Sequence, residues 1–327
     1  MDKLIQRLLS SFAVCSGEGS IREEIKKEIE EIFKSKDADA AIEVDRLGNL
    51  VVKAGSGKEK LMLCTHMDNP GFLVTEVEKN GFVRVYPIGS AKPEKLVRSL
   101  VKFDNKILGR LDSFKANPSK DDFFVDLGVS SSGTALSQIE KGRLGELIGN
   151  LLENNGRLMG ANLHNKLACY VLIETIRKID ISKLNKEIYF VFSVSGENGY
   201  KGARAAAFNI KPDKAIVLSS IEAEDYPGGK GAIELSNGPV LSIFDKSLVI
   251  HEEAKEIIEN TAENENIKLQ YSFNDEKNEG GVIHKEVGGI ITAMLGIPCR
   301  YMYTSEEIVD INDINDIIKL LNSILIQ

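Results

Sequence analysis

The chain has no apolar run near the roughly 20 residues that a membrane-spanning helix needs. No signal-like segment precedes its first amphipathic stretch. These two absences lead to the expectation of a cytoplasmic protein with no membrane partner. Cysteine is scarce: Cys15, Cys64, Cys169 and Cys299 stand singly among apolar residues. That spacing makes neither a zinc knuckle nor a secreted disulfide frame, and suits small buried side chains in a reducing compartment. Positive charge is in deficit, with a net charge of −8, which argues against nucleic acid as a partner. No internal repeat, low-complexity tract, Walker sequence or dinucleotide glycine pattern occurs, and no Ser-His-Asp or Cys-His set stands out.

What is present is ordinary globular material: 327 residues, 43% apolar and 28% charged, enough for one or two domains. Leu4, Ile5, Leu8, Leu9 and Phe12 recur at helical spacing. Ser20-Ile21-Arg22-Glu23 has the pattern of a capping box, with Ile21, Ile25, Ile29, Ile32 and Phe33 as the apolar stripe behind it. A hairpin is expected around Leu47-Gly48, and a short apolar strand from Lys60 to Cys64. From Pro70 the texture changes to short alternating pieces with close turn signals, which read as a small β barrel or sandwich. After about Leu158 helices and strands alternate again, as in a mostly parallel, doubly wound sheet flanked by helices. The expected division is therefore an α/β domain over 1–69 and 159–327, interrupted by an inserted β domain over 70–158.

The chain turns on the run Glu187-Ile188-Tyr189-Phe190-Val191-Phe192-Ser193-Val194, which reads as a strand buried on both faces. It ends in Ser195-Gly196-Glu197, and functional groups in such sheets sit beyond the carboxyl ends of the strands. Glu197 can there bind a metal, act as a base, or cap the helix starting near Tyr200. His66 ends another buried strand, and Asp68 follows at a spacing that suits an imidazole held by a carboxylate. His164 opens an apolar helix, where a cap is the simpler role. His251 reads as a surface residue at a helix start, and His284 as a packing or capping residue.

The order of these pieces resembles the tetrahedral glutamyl-aminopeptidase family, also called deblocking aminopeptidases or cellulase-M-like proteins. The resemblance runs from end to end and rests on several stretches. These are Asp45-Arg46-Leu47-Gly48-Asn49-Leu50, Thr65-His66-Met67-Asp68, Tyr86-Pro87-Ile88-Gly89, Asp126-Leu127-Gly128-Val129-Ser130-Ser131, Gly199-Tyr200-Lys201-Gly202-Ala203-Arg204, Asp225-Tyr226-Pro227-Gly228 and Ile297-Pro298-Cys299-Arg300-Tyr301. It implies a zinc-exopeptidase-like mixed α/β sheet with a PDZ-like barrel insertion used in assembly, and a homo-oligomer from a dimer up to a tetrahedral dodecamer. It also implies hydrolysis of amino-terminal residues by two metals bridged by water and one Asp, with a Glu as base. In this chain His66 matches the first metal histidine and Asp68 its supporting carboxylate. The expected Asp-Asp pair is His164-Asn165, and the expected Glu-Glu pair is Gly196-Glu197, so the base position is glycine. The next Asp is Ser219, the last histidine is Tyr303, and Glu279 matches an Asp near a Gly-rich helix start.

Three readings follow from this set. The first is a pseudoenzyme on a metallopeptidase scaffold, acting as a binding or assembly subunit, alone or with an active paralogue. The second is an active hydrolase with one divalent metal, zinc or cobalt, on His66, His164 and Glu197, assisted by Tyr303, Glu279 or Asp225. The third is a binder of peptides or small molecules in the old substrate cleft, with no metal.

Overall fold

The run at 187–193 forms the strand Glu187–Ser193, in which Ile188, Phe190, Val191 and Phe192 are wholly buried. It lies inside an 11-stranded sheet, antiparallel to Leu50–Ala54 and parallel to Lys60–His66. Lys214–Glu222 and Ile291–Arg300 continue the parallel block. The flanking strands are antiparallel: Ala41–Val44 on one side, and Glu307–Asp310, Arg157–Gly160 and Leu152–Asn154 on the other. The computed structural model that shows this describes residues 2–38, 40–229 and 231–327.

Successive residues of a strand face opposite sides, and both sides of this sheet are covered. Leu61 and Leu63 enter a core with the helices Lys3–Ser10, Gly19–Ser35, Leu163–Lys178, Glu252–Asn264 and Ile311–Leu325. Met62 and Cys64 enter a second core with Ala203, Ala206, Ala207 and Ile283, from Lys201–Ile210 and Gly280–Ile283. All four cysteines are buried and unpaired. Among the described residues no helix is long and apolar enough to cross a membrane.

The six strands Gly71–Val77, Val83–Ile88, Leu100–Phe103, Leu108–Ser113, Phe123–Asp126 and Leu144–Ile148 close into a barrel. Phe72, Phe103, Phe123 and Val125 fill it. Strand pairing ends the barrel at Ile148, ten residues before the boundary expected at 158. The hairpin of Leu152–Asn154 and Arg157–Gly160 belongs instead to the large sheet. Short alternation around a turn looks the same in sequence whichever sheet receives it.

The capping box expected at Ser20-Glu23 does not form. The helix starts at Gly19, and its N-cap Glu18 makes no side-chain capping bond. The Glu18 carboxylate instead accepts the N–H of Ser195 at 3.0 Å, far away in sequence. A stronger demand for an acceptor lies outside the helix than inside it.

One buried cation ties the first helix to this frame. Lys166, 1% exposed, donates to the carbonyls of Leu9 and Ser11 at 3.2 and 2.7 Å and lies 3.7 Å from the Glu146 carboxylate. Burial pushes its pKa down and Glu146 pulls it back up. Glu146 is itself 1% exposed, with Lys102 3.1 Å away. Lys166→Met keeps the stem and removes the charge, orphaning two carbonyls and half of the compensation for Glu146. A loss of about 3 kcal/mol is expected in urea unfolding; a loss under about 1 kcal/mol would mean that Lys102 alone satisfies the carboxylate.

Candidate functional site

The turn after Glu187–Ser193 is wired residue by residue. The N–H of Val194 donates to Asn49 Oδ1 at 2.9 Å, that of Ser195 to Glu18 Oε1 at 3.0 Å, that of Gly196 to Asp68 Oδ1 at 2.7 Å and that of Glu197 to Asp68 Oδ2 at 2.9 Å. Asn49 is held in turn by Asp45 at 2.6 Å and by the Gly202 carbonyl at 3.0 Å. This explains the Asp45–Asn49 stretch. It also explains how Ser195 is kept at φ 57, a left-handed conformation that an unconstrained serine avoids.

Among the described residues, Cys15, Glu18 and Asp68 form the only group of three metal-ligand types whose donor atoms all lie within 4.8 Å of one another. Glu18 and Asp68 already serve as the clamp on this turn. Burial pushes both the Cys15 thiol and the Glu18 carboxyl up, so neither is poised as an anionic ligand.

His66 Nδ1 donates to the backbone carbonyl of Asp68 at 3.0 Å, with the Asp68 carboxylate at 3.5 Å. The sequence suggested the carboxylate as the nearer partner; its two oxygens are committed to the backbone amides above. Burial lowers the imidazole pKa, but Asp68 and the charges of Glu279 and Glu197 outweigh it and push the value up to about 10. The ring therefore carries both protons at neutral pH. Gly196 is what gives it room. A Cβ at Gly196 would lie 2.2 Å from His66 Cγ and 2.4 Å from Nδ1, well inside van der Waals contact.

Opposite, His164 is 2% exposed. Its Nδ1 pairs with Glu307 Oε1 at 2.6 Å, and its backbone N–H donates to Glu307 Oε2 at 2.9 Å. Glu307 accepts the Nδ1 proton, and Nε2 is the other nitrogen of the ring. That nitrogen is buried without a partner, 4.0 Å from Glu197 Oε1. Asn165 does what no carboxylate in its place could. It donates through Nδ2 to the Asp68 carbonyl at 2.6 Å and toward Glu197 Oε1 at 3.4 Å.

Glu197 does not cap the helix Lys201–Ile210, whose N-cap is Tyr200 without a side-chain bond. Its Oε2 instead accepts the N–H of Ser90 at 2.9 Å, from the barrel side. Gly89, at φ +107, passes so close that a Cβ there would meet Oε2 at 2.7 Å. His251 is a helix N-cap, as expected, accepting the Glu253 N–H at 3.2 Å.

Ser219 and Tyr303 line the same cleft of about 560 Å³ as His66, His164, Gly196, Glu197 and Glu279. Burial pushes the Tyr303 hydroxyl well above its usual range, so it is a neutral phenol, and its ring packs edge-on against His164 at 4.8 Å. Glu279 is 1% exposed. Its Oε1 accepts Ser193 Oγ at 2.5 Å, its Oε2 has no partner, and burial raises its pKa. Asp225 is absorbed by structure, paired with Arg300 at 2.5 Å and capping the Leu235 N–H at 3.1 Å. The structure thus brings the residues singled out in the sequence to one cleft or its supporting shell, except Asp225, His251 and His284; the two histidines lie together at a separate surface pocket. Missed were Glu307, which orients His164, and Glu18 and Asn49, which set the turn. Glu307 stands in the short run Glu306-Glu307-Ile308-Val309-Asp310 among other carboxylates, so nothing in the sequence set it apart.

A parallel-centred α/β sheet with a barrel leaning over the cleft at its strand ends is an aminopeptidase architecture. An aminopeptidase from the archaeon Desulfurococcus kamchatkensis superposes with a TM-score of 0.91 at 23% identity, covering 99% of this chain and 93% of that one. The TET1 peptidase of Pyrococcus horikoshii, whose structure is described as assembling into a tetrahedron or a large octahedral shell, gives 0.87 at 23% identity over 99% and 98%. Residues 48–320 match the M42 glutamyl aminopeptidase family, and the chain belongs to that family. The chain is 32% identical to a protein of Acetivibrio thermocellus named putative aminopeptidase, over 98% of this chain and 97% of the relative. It is 30% identical to the lysyl aminopeptidase of Pyrococcus furiosus over 89% and 88%.

Proposed function

We propose that this family member has kept the aminopeptidase cleft as a binding site and has lost the two-metal hydrolysis. The observation that carries this reading is at Gly196: the position of the family base is filled by the His66 imidazole, 2.2 Å from where a Cβ would sit. The donor chemistry agrees. At the position of the bridging carboxylate stands an imidazole with one nitrogen tied to Glu307, and at the next an amide that donates. Ser219 and Tyr303 are neutral. Two divalent ions would find the carboxylates of Glu197 and Glu279 in the cleft but none at the bridging position, so the residues present do not fit a dinuclear centre, and no step is routed through one.

A single ion on His66, His164 and Glu197 is favoured by one observation, the buried His164 Nε2 that has no hydrogen-bond partner and faces Glu197. It is opposed by the spread of the three side chains, whose donor atoms do not all lie within 4.8 Å of one another.

The test is the purified full chain with zinc, cobalt or manganese against a panel of aminoacyl arylamides, run beside the Pyrococcus furiosus enzyme. Loss of a positioned base alone costs on the order of 10²–10⁴ in rate, and turnover below that range is expected. Rates within tenfold of the active relative would overturn the proposal. Metal analysis after dialysis is expected to find no stoichiometric zinc. Bound zinc that disappears in His164→Ala would establish the single-ion reading instead.

We also propose self-association, supported by the shell described for the Pyrococcus horikoshii peptidase of the same fold and by exposed Leu100, Leu108 and Phe114 on the barrel. Light scattering of the full chain checks it: a monomer at micromolar concentration would refute it.

A further inference from the structure

We infer that the strand Gln270–Phe273 is a docking edge for a second copy of this chain, which adds its own Gln270–Phe273 antiparallel across a two-fold axis at Ser272. In the large sheet this strand pairs with Val240–Phe244 alone, so its other side is open among the described residues. The N–H of Gln270 donates to the Pro239 carbonyl at 2.8 Å, and that of Asn274 to the Phe244 carbonyl at 3.1 Å. Backbone groups alternate sides along a strand, so Gln270, Ser272 and Asn274 turn theirs inward, and Tyr271 and Phe273 turn theirs out. Two N–H and two C=O groups therefore stand ready to receive another strand.

The other edges of the sheet are blunted, and this one is not. Ala41–Val44 and Leu152–Asn154 end the sheet elsewhere. Each carries a carboxylate within the strand, Glu43 and Glu153, and such charges discourage pairing. Gln270–Phe273 holds neither a charge nor a proline. Its Tyr271 is 45% and its Phe273 70% exposed, and the exposed Phe244 stands beside Phe273 in the register. Aromatic rings along an open edge make an apolar patch of the kind that marks an interface.

The strand is complementary to itself. With Ser272 opposite its own copy, Tyr271 falls opposite the partner's Phe273, and every outward N–H and C=O of the two strands is paired. Tyr271 and Phe273 of both copies then share one face of the joined sheet as cross-strand aromatic pairs. The same axis sets Lys268, just before the strand, toward the partner's Glu276, just after it, so the ends are complementary in charge. Tyr271, Ser272 and Phe273 also line the cleft. A strand added here continues that wall, and each copy completes the rim of the other's cleft. The contact is separate from the exposed leucines of the barrel.

Two measurements on the full chain test this. Ser272 would meet its copy as a non-hydrogen-bonded pair, with Cα atoms about 4.5 Å apart, within disulfide reach. Mild oxidation of Ser272→Cys is expected to give a cross-linked dimer on non-reducing gels. The parent, whose four cysteines are buried, is expected to give none. Sedimentation velocity reads the contact without a cross-link. Phe273→Lys is expected to weaken association at least tenfold at an unchanged melting temperature. Phe273→Pro removes one outward N–H and none of those directed at Val240–Phe244, and is expected to do the same. Leu108→Lys, on the barrel, keeps this inference apart from self-association in general. Dissociation by Leu108→Lys with neither Phe273 variant changed would overturn the edge contact and leave the barrel contact standing. A failed cross-link would overturn it as well, and a monomeric parent would overturn both. If the parent instead gains a strand from an added extended peptide and forms no dimer, the edge belongs to a foreign chain and the second copy is refuted.

Discussion

Gly196→Glu, which writes the family's general base back into the chain, is expected to unfold the protein's centre before it restores any chemistry. The new Cβ would fall 2.2 Å from Cγ and 2.5 Å from Cβ of His66. The ring cannot swing freely, because its Nδ1 is bonded to the Asp68 carbonyl. Asp68 cannot give way either, since its carboxylate holds the amides of Gly196 and Glu197, and its carbonyl accepts from Asn165 as well. Overpacking a tight core costs about 1–3 kcal/mol, and burying a new carboxylate among Asp68, Glu197 and Glu279 adds repulsion. A total of about 4 kcal/mol is expected in guanidinium unfolding, with no gain in arylamide turnover in zinc or cobalt. Gly196→Ala separates the two parts: it carries the same Cβ without the charge and is expected to cost about 2 kcal/mol. A Gly196→Glu protein as stable as the parent, with turnover raised by more than tenfold, would show that the ring yields easily and that the site is one substitution from activity.

The reason for that expectation was only half visible in the sequence. The strand Glu187–Ser193 could be read directly, because an unbroken apolar run has few homes other than a sheet covered on both faces. Glycine at 196 could be read as a missing side chain. That the space had been taken by His66 could not, since it depends on the neighbouring strand Lys60–His66, which brings His66 and the following Asp68 beside Gly196. The same holds for Glu18. The capping pattern in the sequence pointed to Ser20 and Glu23 and left Glu18 unremarked, whereas the amide of Ser195, 177 residues away, decides its conformation. Local patterns show what a residue can satisfy nearby; a buried distant donor wins because leaving it unpaired costs more than a frayed helix start.

The inner end of the cleft is held from outside. His164 and Glu197 each have a fixed partner, Glu307 for the one and the Ser90 amide for the other, and His164 Nε2 stays buried without a hydrogen-bond partner.

Glu307→Ala is expected to be as damaging as Gly196→Glu. Glu307 is wholly buried and accepts three bonds, from the His164 backbone at 2.9 Å, the His164 ring at 2.6 Å and the Tyr303 backbone at 2.7 Å. Tyr303 sits at φ 70, a conformation that a bulky side chain resists, so its amide bond is part of what holds the loop. Removing the carboxylate orphans two amides and one imidazole in a dry interior, for a loss of about 4 kcal/mol. Glu307→Gln is milder. An amide has one accepting oxygen, so its NH₂ must face one of the two backbone N–H groups, and a loss of about 2 kcal/mol is expected. Urea unfolding of both variants reads these two losses. Equal stability of Glu307→Ala and the parent would remove Glu307 from the site's framework altogether.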